Sequence, residues 1–194
     1  PTAKRERKST RSQNTKSAKT VLPTPEEVKS CLDQIVKKGS KEGAKARQVL
    51  LYIIYYAGLR PSEAVALHIE DCTLPDTGWG VLDVHRARVD SGVIWSADSA
   101  KIGATKTDAR QVPIPQELVA IVKEHIGTRT TGLVAPSEQN TMMSVNNLTK
   151  TWMSVRTNPK WRVYDLRAAC ASLRVNSGRA PAIVAAEMGH SIEV

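Results

Sequence analysis

The strongest constraint on the fold is an apolar stripe that stops abruptly at Gly58. Its members recur at the i, i+3, i+4 spacing of a buried helix face. They are Ala46, Val49, Leu50, Ile53, Ile54 and Ala57. Pro61 then suits the first position of a further helix, which we expect to run to Leu67. Arg60 therefore lies in a tight junction between two helices, where packing on both sides would hold its side chain rigidly.

Helical patterns dominate the rest of the chain. Thr24 can cap a first helix that starts at Pro25 and ends near Gly39. Ser144 can cap another helix that runs to about Val155. Further helices are predicted over residues 116–125, 165–176 and 180–188, with a polar loop over 128–143.

Between Asp71 and Pro115 the apolar period changes from helical to alternating. Three short antiparallel strands are predicted, over residues 81–85, 93–95 and 111–114. The connection before the last strand, residues 104–110, is polar and turn-prone, which places Lys106 near the tip of a hairpin. We predict an α+β, mainly α-helical fold with a small three-stranded antiparallel sheet.

Charge limits the partners of this chain. A net charge of +9 favours a polyanion, because lysine and arginine bind by neutralising phosphates and releasing counterions. Residues 1–20 carry +6 of this charge and few apolar residues, so we expect a flexible basic linker or arm ahead of a folded domain over 21–194. The cations of the arm are Lys4, Arg5, Arg7, Lys8, Arg11, Lys16 and Lys19.

The cysteines indicate a reducing compartment. Cys31, Cys72 and Cys170 are odd in number and widely spaced, which favours neither a disulfide framework nor a zinc site. We predict no metal and no cofactor. The chain has no apolar run of about 18 residues and no signal peptide, so a soluble intracellular protein without a membrane partner is expected.

Four separated motifs follow one another in a fixed order. They are Tyr-Ala-Gly-Leu-Arg-Pro-Ser-Glu at 56–63, Lys106 in its turn, Tyr-Asp-Leu-Arg at 164–167, and Gly-His at 189–190. In this order the motifs resemble the catalytic domain of the tyrosine recombinases, which include the phage-type integrases. The resemblance spans roughly residues 24–194, and the ordered set is far more specific than any one motif.

The resemblance implies metal-free cleavage and rejoining of DNA during site-specific recombination or integration. In such enzymes a tyrosine attacks a phosphodiester and forms a 3′-phosphotyrosine, so negative charge builds on the non-bridging oxygens. Arg60 and Arg167 match the two arginines that hold these oxygens, a task that suits the planar guanidinium. Lys106 matches the hairpin lysine that acts as a general acid. His190 matches a position that hydrogen-bonds the phosphate or the nucleophile.

Two residues beside these motifs have more than one interpretation. Glu63 is better explained as structural support or a helix ion pair than as a catalyst. Tyr164 stands where many family members have histidine, and Ala168 stands at another position where histidine is common. Tyr164 can donate a hydrogen bond to phosphate, but a phenol titrates near 10 and cannot shuttle protons near neutral pH. That Tyr164 is itself the nucleophile is the less favoured alternative.

The resemblance also implies segments that residues 1–194 do not supply. The family's nucleophilic tyrosine follows the Gly-His pair after a short mobile segment, and Val194 is the last residue here. We therefore expect a catalytic domain that lacks its tyrosine segment and, as a fragment, binds DNA phosphate without cleaving. The full-length protein is expected to be a tetramer on paired sites in the bacterial cytoplasm and nucleoid, and the fragment a monomer.

Double-stranded DNA is the expected partner. The basic arm could follow its backbone, and Asn146, Asn147 and Lys150 on the helix after Ser144 could reach it, although such exposed polar residues are commonly only solvated. Two alternatives stay open. One is a non-catalytic DNA-binding module derived from the same fold. The other is a type IB topoisomerase, which shares the chemistry but relaxes supercoils alone.

Overall fold

The computed structural model describes residues 21–38, 41–89, 101–104 and 109–189. Within these ranges the chain forms seven α-helices and five short strands. The helices are α1 Pro25–Lys38, α2 Lys41–Ala57, α3 Pro61–Ala64, α4 Gln116–Ile126, α5 Val145–Val155, α6 Val163–Asn176 and α7 Pro181–Glu187. The strands are β1 Cys72–Thr73, β2 Gly80–Val84, β3 Arg86–Val89, β4 Lys101–Ala104 and β5 Arg110–Ile114.

Helix α2 forms the centre of the hydrophobic core. The six residues of its predicted stripe are at most 3% exposed, and the helix packs against α1, α4, α5 and α6. Ser144 accepts a hydrogen bond from the backbone N–H of Asn147 and so caps α5 as predicted. The mainly helical α+β fold is thus confirmed. No helix among the residues that the structure describes is long and apolar enough to cross a bilayer.

The predicted three-stranded antiparallel sheet is confirmed, but its strand composition differs. It has the order β1–β2–β5, with Val81 opposite Pro113. Strand β1 is a two-residue segment, too short to show an alternating pattern in the sequence. Strands β3 and β4 form a separate antiparallel pair that the sequence analysis did not predict. The predicted strand over 93–95 lies outside the described residues.

The junction between α2 and α3 depends on Gly58. Its φ is +68°, a left-handed conformation that glycine adopts without a steric penalty. A Cβ added there would clash with the Met188 sulfur, so the site also lacks space for a side chain. Arg60 follows as the N-cap of α3 with Pro61 at the first helical position, as predicted. Helix α3 ends at Ala64, short of the predicted Leu67.

Candidate active site

Arg60 is held from two directions. Its Nη1 donates to Glu63 Oε1 at 2.9 Å, and its Nη2 donates to the Gly189 carbonyl oxygen at 2.9 Å. Its own backbone N–H donates to Glu63 Oε2, so the Glu63 side chain satisfies a free donor at the start of α3. The side chain keeps 21% of its surface exposed. Arg60 is therefore fixed in orientation and still accessible from solvent.

Arg167 lies deeper, on the buried face of α6. It is 5% exposed, and its two terminal nitrogens donate to the carbonyl oxygens of Gly58 and Met188. Burial, assisted by the nearby charge of Arg60, lowers the pKa of Arg167 to about 10. The guanidinium consequently stays charged at neutral pH, although its environment opposes the charge. An anion placed beside it would relieve that electrostatic cost.

The two predicted arginines converge on one backbone turn. Arg60 contacts the carbonyl of Gly189, and Arg167 contacts the carbonyl of Met188, which immediately precedes Gly189. Gly189 has a φ of +64°, which turns the chain at the end of α7. The motifs at 56–63 and 164–167 are thereby brought together with Gly189, although they lie far apart in the sequence. His190 itself lies outside the described residues.

Side chains of α6 also complete the end of α2. The last carbonyls of a helix have no partner within the helix. Here Tyr56 O accepts from Cys170 Sγ at 3.3 Å and from Arg174 Nη2 at 3.1 Å, while Gly58 O accepts from Arg167. Cationic donors at this end also suit the helix dipole. The segment that leads into Arg60 is therefore anchored by the helix that carries Arg167.

Glu63 is the buried carboxylate of the site. It is 1% exposed and pairs with both Arg60 and Arg110. Arg110 donates to both of its carboxylate oxygens, from Nη2 at 2.7 Å and from Nη1 at 3.2 Å. Burial would raise the pKa of Glu63, but hydrogen bonds from Arg110 and Arg60 outweigh it, so the pKa is lowered from its ordinary value. Glu63 is thus a charged brace between two arginines.

A second carboxylate, Glu187, joins α7 to this network. It is 8% exposed and accepts hydrogen bonds from Arg174 and Arg179, while its backbone carbonyl accepts from Arg110 Nε at 2.8 Å. Arg110 therefore connects β5 to α3 and to α7. The network comprises five arginines, Arg60, Arg110, Arg167, Arg174 and Arg179, and two glutamates. This excess of positive charge favours an anionic ligand.

Arg110 and Arg174 belong to none of the sequence motifs, although both positions carry a signal. Arg110 shares its strand face with the buried Val112 and Ile114, so a cation occupies a buried-face position of β5. Arg174 follows Arg167 by seven residues and so lies on the same face of α6. A charged residue on the same face of a strand or helix as buried residues indicates a charged partner. Neither pattern identifies that partner as Glu63 or Glu187.

The remaining predicted residues are distributed differently. Tyr164 lies in the first turn of α6 with 56% of its surface exposed, three residues before Arg167. Asn146, Asn147 and Lys150 are exposed on α5. Other candidates lie outside the described residues: Lys4, Arg5, Arg7, Lys8, Lys106 and His190.

Comparison with known proteins gives consistent matches. The model of the phage integrase family matches residues 22–193. The integrase of Mycobacterium phage D29 is 24% identical over 155 residues, which cover 74% of this chain and 40% of that protein. The chain thus spans less than half the length of this relative.

Solved structures share the fold. The Tn1549 transposon integrase in complex with circular intermediate DNA matches with a TM-score of 0.67 and 20% identity, over 88% of this chain and 59% of that one. The XerA recombinase matches with a TM-score of 0.65 and 14% identity, over 90% and 56% of the two chains. The XerH recombinase bound to palindromic difH substrate in a post-cleavage complex matches with a TM-score of 0.62 and 19% identity, over 88% and 46%.

Proposed function

The chain belongs to the phage integrase family, and we propose that its arginine site holds the DNA phosphate at which strands are cut and rejoined during site-specific recombination. The observation that carries the proposal is the convergence of Arg60 and Arg167 on the turn at Met188 and Gly189. The two motifs supply permanent positive charge at one place. This place lies beside Gly189, the first residue of the Gly-His motif.

The chemistry needs charge where the reaction creates it. Attack by a tyrosine oxygen on the phosphorus forms a 3′-phosphotyrosine and releases a 5′-oxygen, so negative charge builds on the non-bridging oxygens. Arg60 and Arg167 stabilise that charge, and the rigid network of Glu63 and Arg110 spares the site the cost of reorganising during the reaction. An arginine in a comparable role contributes about 10³- to 10⁵-fold to the rate of phosphoryl transfer in other enzymes.

The other groups take roles that follow from the family. Lys106 protonates the leaving 5′-oxygen, and His190 hydrogen-bonds the phosphate or the nucleophile. Tyr164 donates a hydrogen bond from its exposed position on α6. The nucleophile is a tyrosine other than the four within residues 1–194, so a protein limited to these residues binds DNA without forming a covalent adduct.

Contacts beyond the scissile phosphate position the DNA. We assign Asn146, Asn147 and Lys150 on α5 to this contact, together with Lys4, Arg5, Arg7 and Lys8 of the basic arm. Support comes from the exposure of the α5 residues and the positive charge of the arm. The full-length protein assembles as a tetramer on paired sites, while residues 1–194 remain monomeric.

The test is covalent trapping by the full-length gene product on a nicked duplex whose cleaved end cannot be religated. We expect a phenol-stable protein–DNA adduct with the parent and a loss of about 10³-fold or more in its rate of formation with Arg60→Ala or Arg167→Ala. Arg129→Ala is the matched control, because Arg129 also donates to backbone carbonyls, those of Leu133 and Val134, outside this network. A parent protein that binds the duplex but forms no adduct would overturn the proposed activity.

Tyr164→Phe separates the two roles considered for that tyrosine. We expect the variant to form the adduct at a reduced rate, because only a hydrogen bond is lost. A complete loss of adduct in a folded Tyr164→Phe protein would instead identify Tyr164 as the nucleophile.

A further inference from the structure

A second polar feature, named here the α2–α5 cleft, lies between α1, α2 and α5. It is a cleft of about 310 Å³, with Ile35 and Val155 as its apolar walls. Two cations line it, Arg47 from α2 and Lys150 from α5. Among the described residues that form its lining, none is acidic. The remaining lining residues are Asn147, Thr151 and Ser154.

The cations of this cleft differ from two lysines elsewhere on the surface. Lys45 pairs with Glu124 and Lys123 pairs with Asp76, whereas neither Arg47 nor Lys150 forms an ion pair within the described part of the chain. Two like charges that border one cleft repel each other. An anion seated between them would turn this repulsion into two attractions. The cleft therefore has the electrostatic form of an anion site.

The helical register of α5 directs one face to this cleft. Asn147, Lys150, Thr151 and Ser154 follow the i, i+3, i+4, i+7 spacing, while Leu148, Trp152 and Val155 are buried. The hydroxyls of Thr151 and Ser154 already donate to helix carbonyls. The donors for an anion are thus the side chains of Arg47, Lys150 and Asn147. Asn146 does not line the cleft.

The cleft is distinct from the arginine site. Arg47 precedes Ala57 by ten residues on the same helix, a rise of about 15 Å along its axis. Arg60 is oriented by Glu63 and by the Gly189 carbonyl, and neither residue lines the cleft. An anion in the cleft is therefore a different group from the one held by Arg60 and Arg167.

We propose that the α2–α5 cleft holds a second backbone phosphate of the bound DNA, with Arg47 and Lys150 as its charged donors and Asn147 as its neutral donor. The assignment rests on the proposed function. A polymeric phosphate fits better than a small free anion, since the cleft is open at its α5 side, where Asn147 and Lys150 are exposed. Arg47, which no sequence motif marked, becomes a DNA-contacting residue.

The test measures duplex DNA binding by residues 1–194 over a range of salt concentrations. Arg47→Gln and Lys150→Gln should each weaken binding by about 3- to 10-fold at low salt, the loss expected for one charge-assisted hydrogen bond at an accessible site. The double variant should lower the slope of log K against log salt by about 0.9, the value for one neutralised phosphate. Lys123→Gln is the matched control, because it removes one cation from α4 and should leave the slope unchanged.

Duplexes that each carry one neutral methylphosphonate identify the contacted group. At one position the parent should lose affinity while Arg47→Gln loses none, which shows that the arginine and that phosphate act together. Arg47→Lys should restore most of the affinity. If Arg47→Gln is folded and keeps the parental affinity and slope, the cleft assignment is wrong. If the parent itself does not bind duplex DNA, the proposed function fails instead.

Discussion

The arginine network around Glu63 and the α2–α5 cleft are both cationic, but their charges are balanced in different ways. In the network, two buried carboxylates and a set of backbone carbonyls hold five arginines. In the cleft, Arg47 and Lys150 line the same space, and the described lining contains no carboxylate. One region is organised before any ligand arrives. The other leaves its charges for a ligand to balance.

The difference indicates what each region contributes. Burying an ion pair costs much desolvation free energy, which offsets most of its contribution to stability. Its main contribution here is therefore the fixed orientation of Arg60 and Arg167. Solvated cations cost little and contribute affinity through counterion release. We therefore expect changes in the network to alter protein stability, and changes in the cleft to alter only binding.

Glu63→Gln is the substitution that we expect to destabilise the protein most. It leaves Arg60 and Arg110 without their charged partner in a buried setting, so the free energy of unfolding should fall by about 3–5 kcal/mol. Urea denaturation measures the loss. The control is Glu124→Gln, which breaks an exposed pair with Lys45 and should cost less than about 1 kcal/mol. Equal losses in the two variants would remove the distinction between the network and the surface.

Arg110→Lys tests whether the geometry of the network matters beyond its charge. An ammonium cannot reproduce the two parallel bonds to Glu63 together with the bond to Glu187 O. We expect a loss of about 1–3 kcal/mol in the free energy of unfolding. A double-mutant cycle with Glu63→Gln should give a coupling energy above about 0.5 kcal/mol. Additive losses would show that the two residues act independently.

Acid should weaken the network specifically. The pKa of Glu63 is lowered in the folded protein from its ordinary value of 4.5, so its stabilising contribution is complete above that pH and is lost as the pH falls through the lowered value. Each unit of pKa difference corresponds to about 1.4 kcal/mol. The stability gap between the parent and Glu63→Gln should therefore narrow on acidification, as measured by thermal unfolding at a series of pH values. A constant gap would contradict this expectation.

The smallest expected effect on stability is that of a substitution in the α2–α5 cleft. Arg47→Gln should change the free energy of unfolding by less than about 0.5 kcal/mol, because no partner among the described residues depends on that guanidinium. Chemical denaturation beside the binding assay checks this. A clear destabilisation would mean that Arg47 supports the fold, and would weaken its use as a binding residue.

Local patterns in the sequence were sufficient for most helices and for the placement of Arg60. The stripe of α2, the Ser144 cap and the glycine stop at 58 are all short-range signals. Strand β1 was not predicted because two residues are too few to show the alternation of apolar and polar residues that is typical of a strand. Strand β3 was not predicted because Arg86 and Arg88 interrupt the apolar composition expected of a strand, and β4 was not predicted because Lys101, Gly103 and Ala104 are residue types depleted in strands.

The site was predictable only in part for a related reason. Motifs located Arg60 and Arg167, but nothing local shows that both would contact the turn at 188–189. The pairing of Arg110 with Glu63 depends on β5 returning beside α3, which follows from the tertiary structure. Buried ion pairs of this kind become visible only after the elements that carry them are packed.

The long sequence separations within the site have a consequence for how the chain folds. Arg110 reaches Glu63 across 47 residues and the Glu187 carbonyl across 77, and Arg60 reaches Gly189 across 129. Closing such long loops costs chain entropy, so these contacts stabilise the protein only after contacts between residues nearer in sequence have formed. We expect the α1–α2 pair and the β2–β5 strand pair to form first and the arginine network last. The guanidiniums of Arg60 and Arg167 thus acquire their final orientation only when the end of α7 docks.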